Sequence, residues 1–150
     1  MSAEVGLRDV ELPDLEVFLD YEHDEEAAEL AHFPPRERDR FMTHWKTRVL
    51  GVPENLVQTV TVGGETAGNI LAWWDADRRF LGYWFGRRFW GQGIGTRALG
   101  LFLELEQTRP LHADPAARNI GSVRVLEKHG FQRTETLDYD GTEHILLTLT

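Results

Sequence analysis

Hydrophobic residues recur along the chain at two spacings, one near 3.6 and one of 2, and the switches between them divide it into elements. Val5 to Arg8 reads as a short first strand. After Pro13-Asp14, the residues Leu15, Phe18 and Leu19 fall on one helical face. Pro34-Pro35 then breaks the chain, and Phe41, Trp45 and Val49 at i, i+4 and i+8 predict a second amphipathic helix. Gly51 to Asn55 reads as a loop. The middle is a strand meander. A β-branched run from Leu56 to Val62 is followed by a Gly63-Gly64 turn, a return from Ala67 to Trp74, and a third strand from Arg79 to Phe85. In that third strand Leu81, Tyr83 and Phe85 face one way and Phe80 and Trp84 the other, so it is expected at the centre of a sheet covered on both faces.

After a glycine-rich segment, Ala98, Leu99, Phe102 and Leu103 predict a helix ending near Thr108. Leu111 to Ala113 is a very short strand, and Asn119 to His129 a helix stopped where Gly130 suits a left-handed cap. Phe131 to Leu137 and His144 to Leu149 are strands joined around Asp140-Gly141. The order β-α-α-β-β-β-α-β-α-β-β predicts an α+β fold with a mixed sheet, in which the strands flanking the glycine-rich helix run parallel. With 150 residues and no repeat or linker, residues 1–150 read as one domain.

Composition narrows the function. The chain is 41% hydrophobic and 27% charged, enough apolar surface to fold. It has no cysteine, which excludes disulfides, thiolate metal sites and a cysteine nucleophile, and its six histidines show no metal-ligand spacing, so no metal is expected. No apolar run approaches the ~20 residues of a membrane span, and the polar, acidic opening is no secretory signal; a cytoplasmic protein without membrane contact is expected. The net charge of −9 argues against nucleic-acid binding. That charge is uneven: residues 1–30 hold eleven acidic side chains and one basic, Arg8, and the remaining 120 hold 14 acidic and 15 basic. The acidic lobe reads either as a solvated face or as a field that attracts a cationic ligand, with Asp20, Glu22 and Asp24 as the residues to test.

The chemistry concentrates between the central strand and the helix that follows. In Trp90-Gly91-Gln92-Gly93-Ile94-Gly95-Thr96, glycines at alternate positions leave backbone N–H groups uncovered, and the helix that starts there adds unpaired donors and its positive dipole end. Such a pocket suits phosphate oxygens. A P-loop fails, because Thr96-Arg97 follows Gly95 where Lys and Ser or Thr are needed. A dinucleotide turn fits Gly93-x-Gly95-x-x-Ala98 with Asp114 further on, but the seven residues Gly86 to Gln92 separate those glycines from their strand and only 36 residues remain after Asp114.

The whole stretch 80–131 resembles the GNAT superfamily of acetyl-CoA-dependent N-acetyltransferases, and within it the RimJ/RimL-like branch. Two motifs carry the resemblance, the Trp-Gly-Gln-Gly-Ile-Gly loop and Asn119-x-x-Ser122-x-x-x-Leu126-Glu127-Lys128-x-Gly130-Phe131. It implies a mostly antiparallel sheet of about six or seven strands with two splayed parallel central strands and about four flanking helices. It also implies that acetyl-CoA, as co-substrate, enters beside Trp84 and Phe85, with its pyrophosphate on the backbone of Gly91, Gln92, Gly93, Ile94, Gly95 and Thr96. Arg87 and Arg88 then either neutralise the 3′-phosphate or are ordinary exposed arginines. Asn119 either bonds near the pantetheine or caps the last helix, roles that are compatible.

The reaction implied is direct transfer to an amine, which requires the amine to lose a proton and the sulfur to gain one. Many superfamily members carry a tyrosine four residues before the Gly-Phe as general acid; here Leu126 stands there, and Ser122 is the candidate acid, or simply a hydroxyl in a helix's first turn. No base is evident. Glu65, Asp75 and Asp77 either sit in turns beside the acceptor cleft or are plain turn residues, and His112 is the candidate base, or a partly buried histidine with a structural partner. Tyr83, Trp73 and Trp74 either line the acceptor pocket or belong to the core. The expected function is acetyl transfer to a small amine, an amino sugar or a protein N-terminus, by a monomer or homodimer. A non-catalytic acyl-CoA-binding module is the alternative.

Overall fold

A computed structural model describes residues 4–150. The elements, in chain order, are β1 (Val5–Asp9), α1 (Asp14–Glu22), α2 (Glu25–Ala31), α3 (Arg38–His44), β2 (Leu56–Val62), β3 (Glu65–Asp75), β4 (Arg78–Phe85), α4 (Ile94–Leu105), β5 (Leu111–Ala113), α5 (Ile120–Lys128), β6 (Gln132–Tyr139) and β7 (Thr142–Leu149). The seven strands form one sheet in the order β1-β2-β3-β4-β5-β7-β6. Only β4 and β5 run parallel; every other neighbouring pair is antiparallel. The expected fold class is found.

Three elements differ from expectation. The N-terminal third has an additional helix, α2, whose buried residues are only Ala27 and Ala28, so no large apolar side chain marks its spacing. Its start is fixed by Asp24, whose carboxylate accepts from Ala27 N at 3.1 Å. The helix read through Phe41, Trp45 and Val49 is α3 continued by a widened π-helical turn over Trp45–Val49. And α4 stops at Leu105, short of Thr108, because Glu106 leaves the helix to meet Arg79 in the interior: Arg79 Nε donates to Glu106 Oε1 at 2.8 Å.

Alternation along β3 and β4 distributes the core over both sheet faces. On one side Ile70, Ala72 and Leu81 pack with Ala98, Leu99 and Phe102 of α4 and Val123 and Leu126 of α5. On the other, Leu15, Phe18, Leu19, Phe41 and Trp45 form a second cluster against Val57 and Leu71. The β4 strand joins the first cluster through Leu81, Tyr83 and Phe85, and on its other face Trp84 Nε1 donates to Tyr21 O of α1 at 3.0 Å, so helices lie on both sides of it, as its sequence pattern predicts.

The break between β4 and β5 positions the site. These strands pair only at Arg79↔Leu111 and Phe80↔His112. After Ala113 the chain stays with β7 instead: Ala116 bridges His144, Ile145 N donates to Pro115 O at 3.0 Å, and Ala117 N donates to Glu143 O at 2.9 Å. Leu81 to Phe85 thus run on without a strand partner on that side among the described residues. Because Gly86 N donates to Ala67 O at 2.9 Å, alternation turns the peptide groups of Tyr83 and Phe85 away from β3 and into the gap.

Candidate active site

Two cavities open on this gap, one of about 420 Å³ and one of about 1100 Å³. They share Ala31, Tyr83, Trp84, Asn119 and Ser122 as walls.

The smaller cavity lies over the glycine turn. Gly91 and Gly93 both have φ +75°, a conformation that costs an L side chain about 1–2 kcal/mol. Gly93 caps α4, and the first intrahelical donor is Arg97 N, bonded to Gly93 O at 3.1 Å. The N–H groups of Ile94, Gly95 and Thr96 precede it and lack intrahelical acceptors, so they present a positive helix end. Phe85, Trp90, Gly91, Gly93, Ile94, Gly95 and Thr96 all line this cavity. Gln92 does not; its side-chain amide donates to Arg88 O at 2.9 Å and braces the turn.

The two arginines expected at a phosphate have other partners. Arg87 pairs with Asp24 at 2.9 Å and with Glu26, and Arg88 with Glu65 at 3.0 Å. Neither lines the cavity, whereas Arg124 and Lys128, four residues apart on α5, do. The same ion pairs neutralise much of the acidic lobe. Asp14 is bonded to Arg8, Glu16 to Arg38, and Glu22 to Arg36 at 2.5 Å. Of the three lobe residues singled out, Glu22 and Asp24 are engaged and Asp20 is exposed.

At the junction of the cavities the Tyr83 hydroxyl stands 2.8 Å from the Ser122 hydroxyl. Burial pushes the Tyr83 phenol up to about 12, the serine bond opposing. Asn119 caps α5 by accepting from Ser122 N at 3.3 Å, so the cap that orders the helix also sets Ser122 at the junction. Leu126 is buried, as its side chain requires.

The larger cavity lies on the α1/α3 face. Its walls include Phe33, Trp73, Trp74 and Trp84, and the Trp73 ring lies so close over Gly82 that a Cβ there would meet it at 3.2 Å. Asp114 lines this cavity and not the one over the glycines, which removes the geometry a dinucleotide fingerprint needs. Its carboxylate accepts from the Tyr139 hydroxyl at 2.9 Å. Burial raises the Asp114 pKa, with that bond opposing, and burial together with Asp114 pushes Tyr139 up to about 12. In the sequence Asp114 stands out only by its spacing from the glycines, and nothing in that spacing places it in this cavity.

His112 is not brought to the site. It lines neither cavity; its ring packs on Phe80 at 5.5 Å, Phe80 stacks on Trp73, and Nδ1 stands 2.9 Å from Thr148 Oγ1. Burial lowers its pKa, with nearby Arg78 adding to the effect. Glu65, Asp75 and Asp77 also lie outside the linings.

The sequence matches the family model of the acetyltransferase (GNAT) domain over residues 4–132. The chain belongs to this family. Solved structures agree on the fold of this GNAT domain. It superimposes on the aminoglycoside acetyltransferase AAC(6')-Ib in complex with coenzyme A with a TM-score of 0.79 at 20% identity, over 98% of this chain and 95% of that one. The GNAT-family acetyltransferase of Bacillus anthracis gives 0.76 at 16% identity over 99% and 96%. The Salmonella typhimurium protein yncA, with its cofactor acetyl-CoA, gives 0.73 at 15% over 97% and 92%. No curated protein matches the sequence. Among the described residues no group of three or more His, Cys, Asp or Glu is arranged to hold a metal ion, and no helix is long and apolar enough to cross a membrane.

Proposed function

We propose that this GNAT domain transfers the acetyl group of acetyl-CoA directly to a primary amine bound in the larger cavity. The observation that carries the reading is the early end of β4–β5 pairing, which leaves a strand edge between an anion-binding helix start and a second, aromatic cavity. The pantetheine arm would lie along the free edge of Tyr83 and Phe85, with the pyrophosphate on the amides of Gly91 to Thr96 and the 3′-phosphate within reach of Arg124 and Lys128. A backbone N–H in the gap would polarise the thioester carbonyl. Tyr83 and Ser122 would deliver the proton to the leaving sulfur, the buried phenol remaining protonated at neutral pH. Ser122 and Trp90 support a place in the RimJ/RimL-like branch.

The cavity also bears on the acceptor. Glu22 is occupied by Arg36, and Arg36 and Arg48 both line the cavity. Asp114 and Asp140 are the lining carboxylates outside that pair, so the site suits one ammonium on an apolar, ring-sized body better than a polycation. A structure of AAC(6')-Ib in complex with ribostamycin and coenzyme A is also similar, with a TM-score of 0.78, which makes ribostamycin the natural comparison. Thiol release from acetyl-CoA, with product masses, should be faster with 2-phenylethylamine than with ribostamycin. A preference for ribostamycin would overturn the acceptor class. Binding of acetyl-CoA with no release to any amine would overturn the enzyme and leave the acyl-CoA-binding module.

A further inference from the structure

His32 ends α2 in the left-handed conformation, φ 55°, and its ring reaches His144 on β7, 112 residues further along the chain. Both line the larger cavity. The hydrogen bonds between them specify their tautomers. Nδ1 of His144 stands 2.9 Å from the carbonyl oxygen of Asp114. A carbonyl only accepts, so that nitrogen carries a hydrogen, and Nε2 of a neutral His144 is an acceptor. Nδ1 of His32 lies 3.0 Å from that Nε2 and must donate to it. One ring nitrogen is left with a lone pair, Nε2 of His32.

We propose that His32 is the base that takes the proton from the acceptor ammonium, with His144 as the positioning residue that fixes its tautomer. The proposal rests on the acetyltransferase reading and assigns the base that the sequence lacks. A histidine suits the task because its ordinary pKa lies near neutrality. The arrangement also tolerates the proton it gains: His32 as an imidazolium still donates through Nδ1 to His144. Tyr139 packs against His144 with ring centroids 4.6 Å apart and the planes tilted by 59°, which holds that ring in place.

The other charged groups of the cavity leave this role to His32. On the helical side Glu22 is paired with Arg36, and His44 is held below its ordinary pKa by burial and by Arg36 and Arg48, with no ring hydrogen bond to orient it among the described residues. On the strand side Asp114 and Tyr139 are bonded to each other, and Asp140 is exposed. On its own helix, Glu29 faces Arg118 at 3.7 Å.

The step balances as follows in atoms and charge. The ammonium gives one proton to Nε2 of His32, which later releases it to solvent, and the neutral nitrogen bonds to the thioester carbonyl carbon. The carbon–sulfur bond breaks, the sulfur takes a proton from the Tyr83–Ser122 pair, and the second N–H proton lost as the amide forms restores that pair. Asp114 holds the ammonium electrostatically and takes no proton.

Two measurements test this. In the unaltered protein, ¹⁵N NMR of the histidine rings at pH 8 should find His32 protonated at Nδ1 and bare at Nε2; the opposite tautomer overturns the proposal. With 2-phenylethylamine, a strong base, His32→Gln should lower kcat about 100-fold at pH 7, and the deficit should close as pH rises past the amine's own pKa. With aniline, already neutral at pH 7, the loss should stay below about threefold, under ~0.7 kcal/mol. Equal losses with both amines, or no loss, overturn the base. If His32→Gln does not fold, the ring measurement decides. Unaltered protein that releases no thiol with these two amines or with ribostamycin refutes the acetyltransferase reading, whereas an unimpaired His32→Gln in an active protein refutes only the base.

Discussion

The phenolic oxygen of Tyr83 lies 2.8 Å from the hydroxyl of Ser122, which ties β4 to α5 across the gap in the sheet. Tyr83 and Ser122 each line both cavities. In the proposed reaction this pair would deliver the proton where the two ligands meet, although Leu126 occupies the helix position at which the family resemblance leads one to expect a tyrosine.

Tyr83→Phe and Ser122→Ala should each lower kcat by about 10- to 100-fold with little change in the KM for acetyl-CoA. Because the two hydroxyls share one bond, the double variant should be little worse than the poorer single variant. The phenol, pushed up to about 12, keeps its proton through neutral and moderately alkaline pH, so kcat should not fall between about pH 8 and 10. A Ser122→Ala loss below about threefold, under ~0.7 kcal/mol, removes the serine from chemistry.

Arg124 and Lys128 line the cavity over the glycines while Arg87 is held by Asp24 and Glu26. Replacing both α5 cations by alanine should weaken CoA about tenfold and leave 3′-dephospho-CoA nearly unaffected. Arg87→Ala should change the two affinities equally or not at all. Calorimetric titration of each variant with both ligands gives the comparison, and equal weakening of both ligands by the α5 variant would remove those cations from the 3′-phosphate.

Asp14 fastens the start of α1 to the sheet. It accepts from Arg8 at 2.7 and 2.8 Å, from Thr59 at 2.8 Å and from Glu11 N at 2.9 Å. Burial would raise its pKa, but these bonds hold the carboxyl well below the usual carboxylate range. A carboxyl depressed in the folded state adds stability above its unfolded pKa, about 3.9, and loses it as pH falls further. Asp14→Asn should cost on the order of 2–3 kcal/mol at pH 7 and less at pH 3, read by urea unfolding at both. A variant equally destabilised at the two pH values would contradict the assignment.

What the sequence reveals of this molecule is what short-range chemistry encodes. The double-faced pattern of Phe80 to Phe85, the helix that starts within the glycine-rich turn, and Asn119 as the cap of the last helix are local, and each is found as expected. The α2 helix is hidden because alanines at its buried positions carry almost no periodic signal. In the sequence Arg87 suits a phosphate role, because its partners, Asp24 and Glu26, are brought beside it only by that helix. His32 and His144 meet through contacts 112 residues apart, and Asp114 enters the same cavity because the chain after β5 follows β7 and abandons β4. Periodicity carries no record of such pairings.

The most direct test is thermal unfolding of the protein with acetyl-CoA, CoA and NADH in parallel, each near saturation. A ligand at 100 times its Kd stabilises by ~2.7 kcal/mol, a rise in Tm of about 5–10 °C for a chain of this size. The split sheet and its glycine turn predict that rise with acetyl-CoA and CoA, none with NADH, and its loss in Gly93→Ala. No rise with either CoA species, or a rise with NADH alone, would contradict the account.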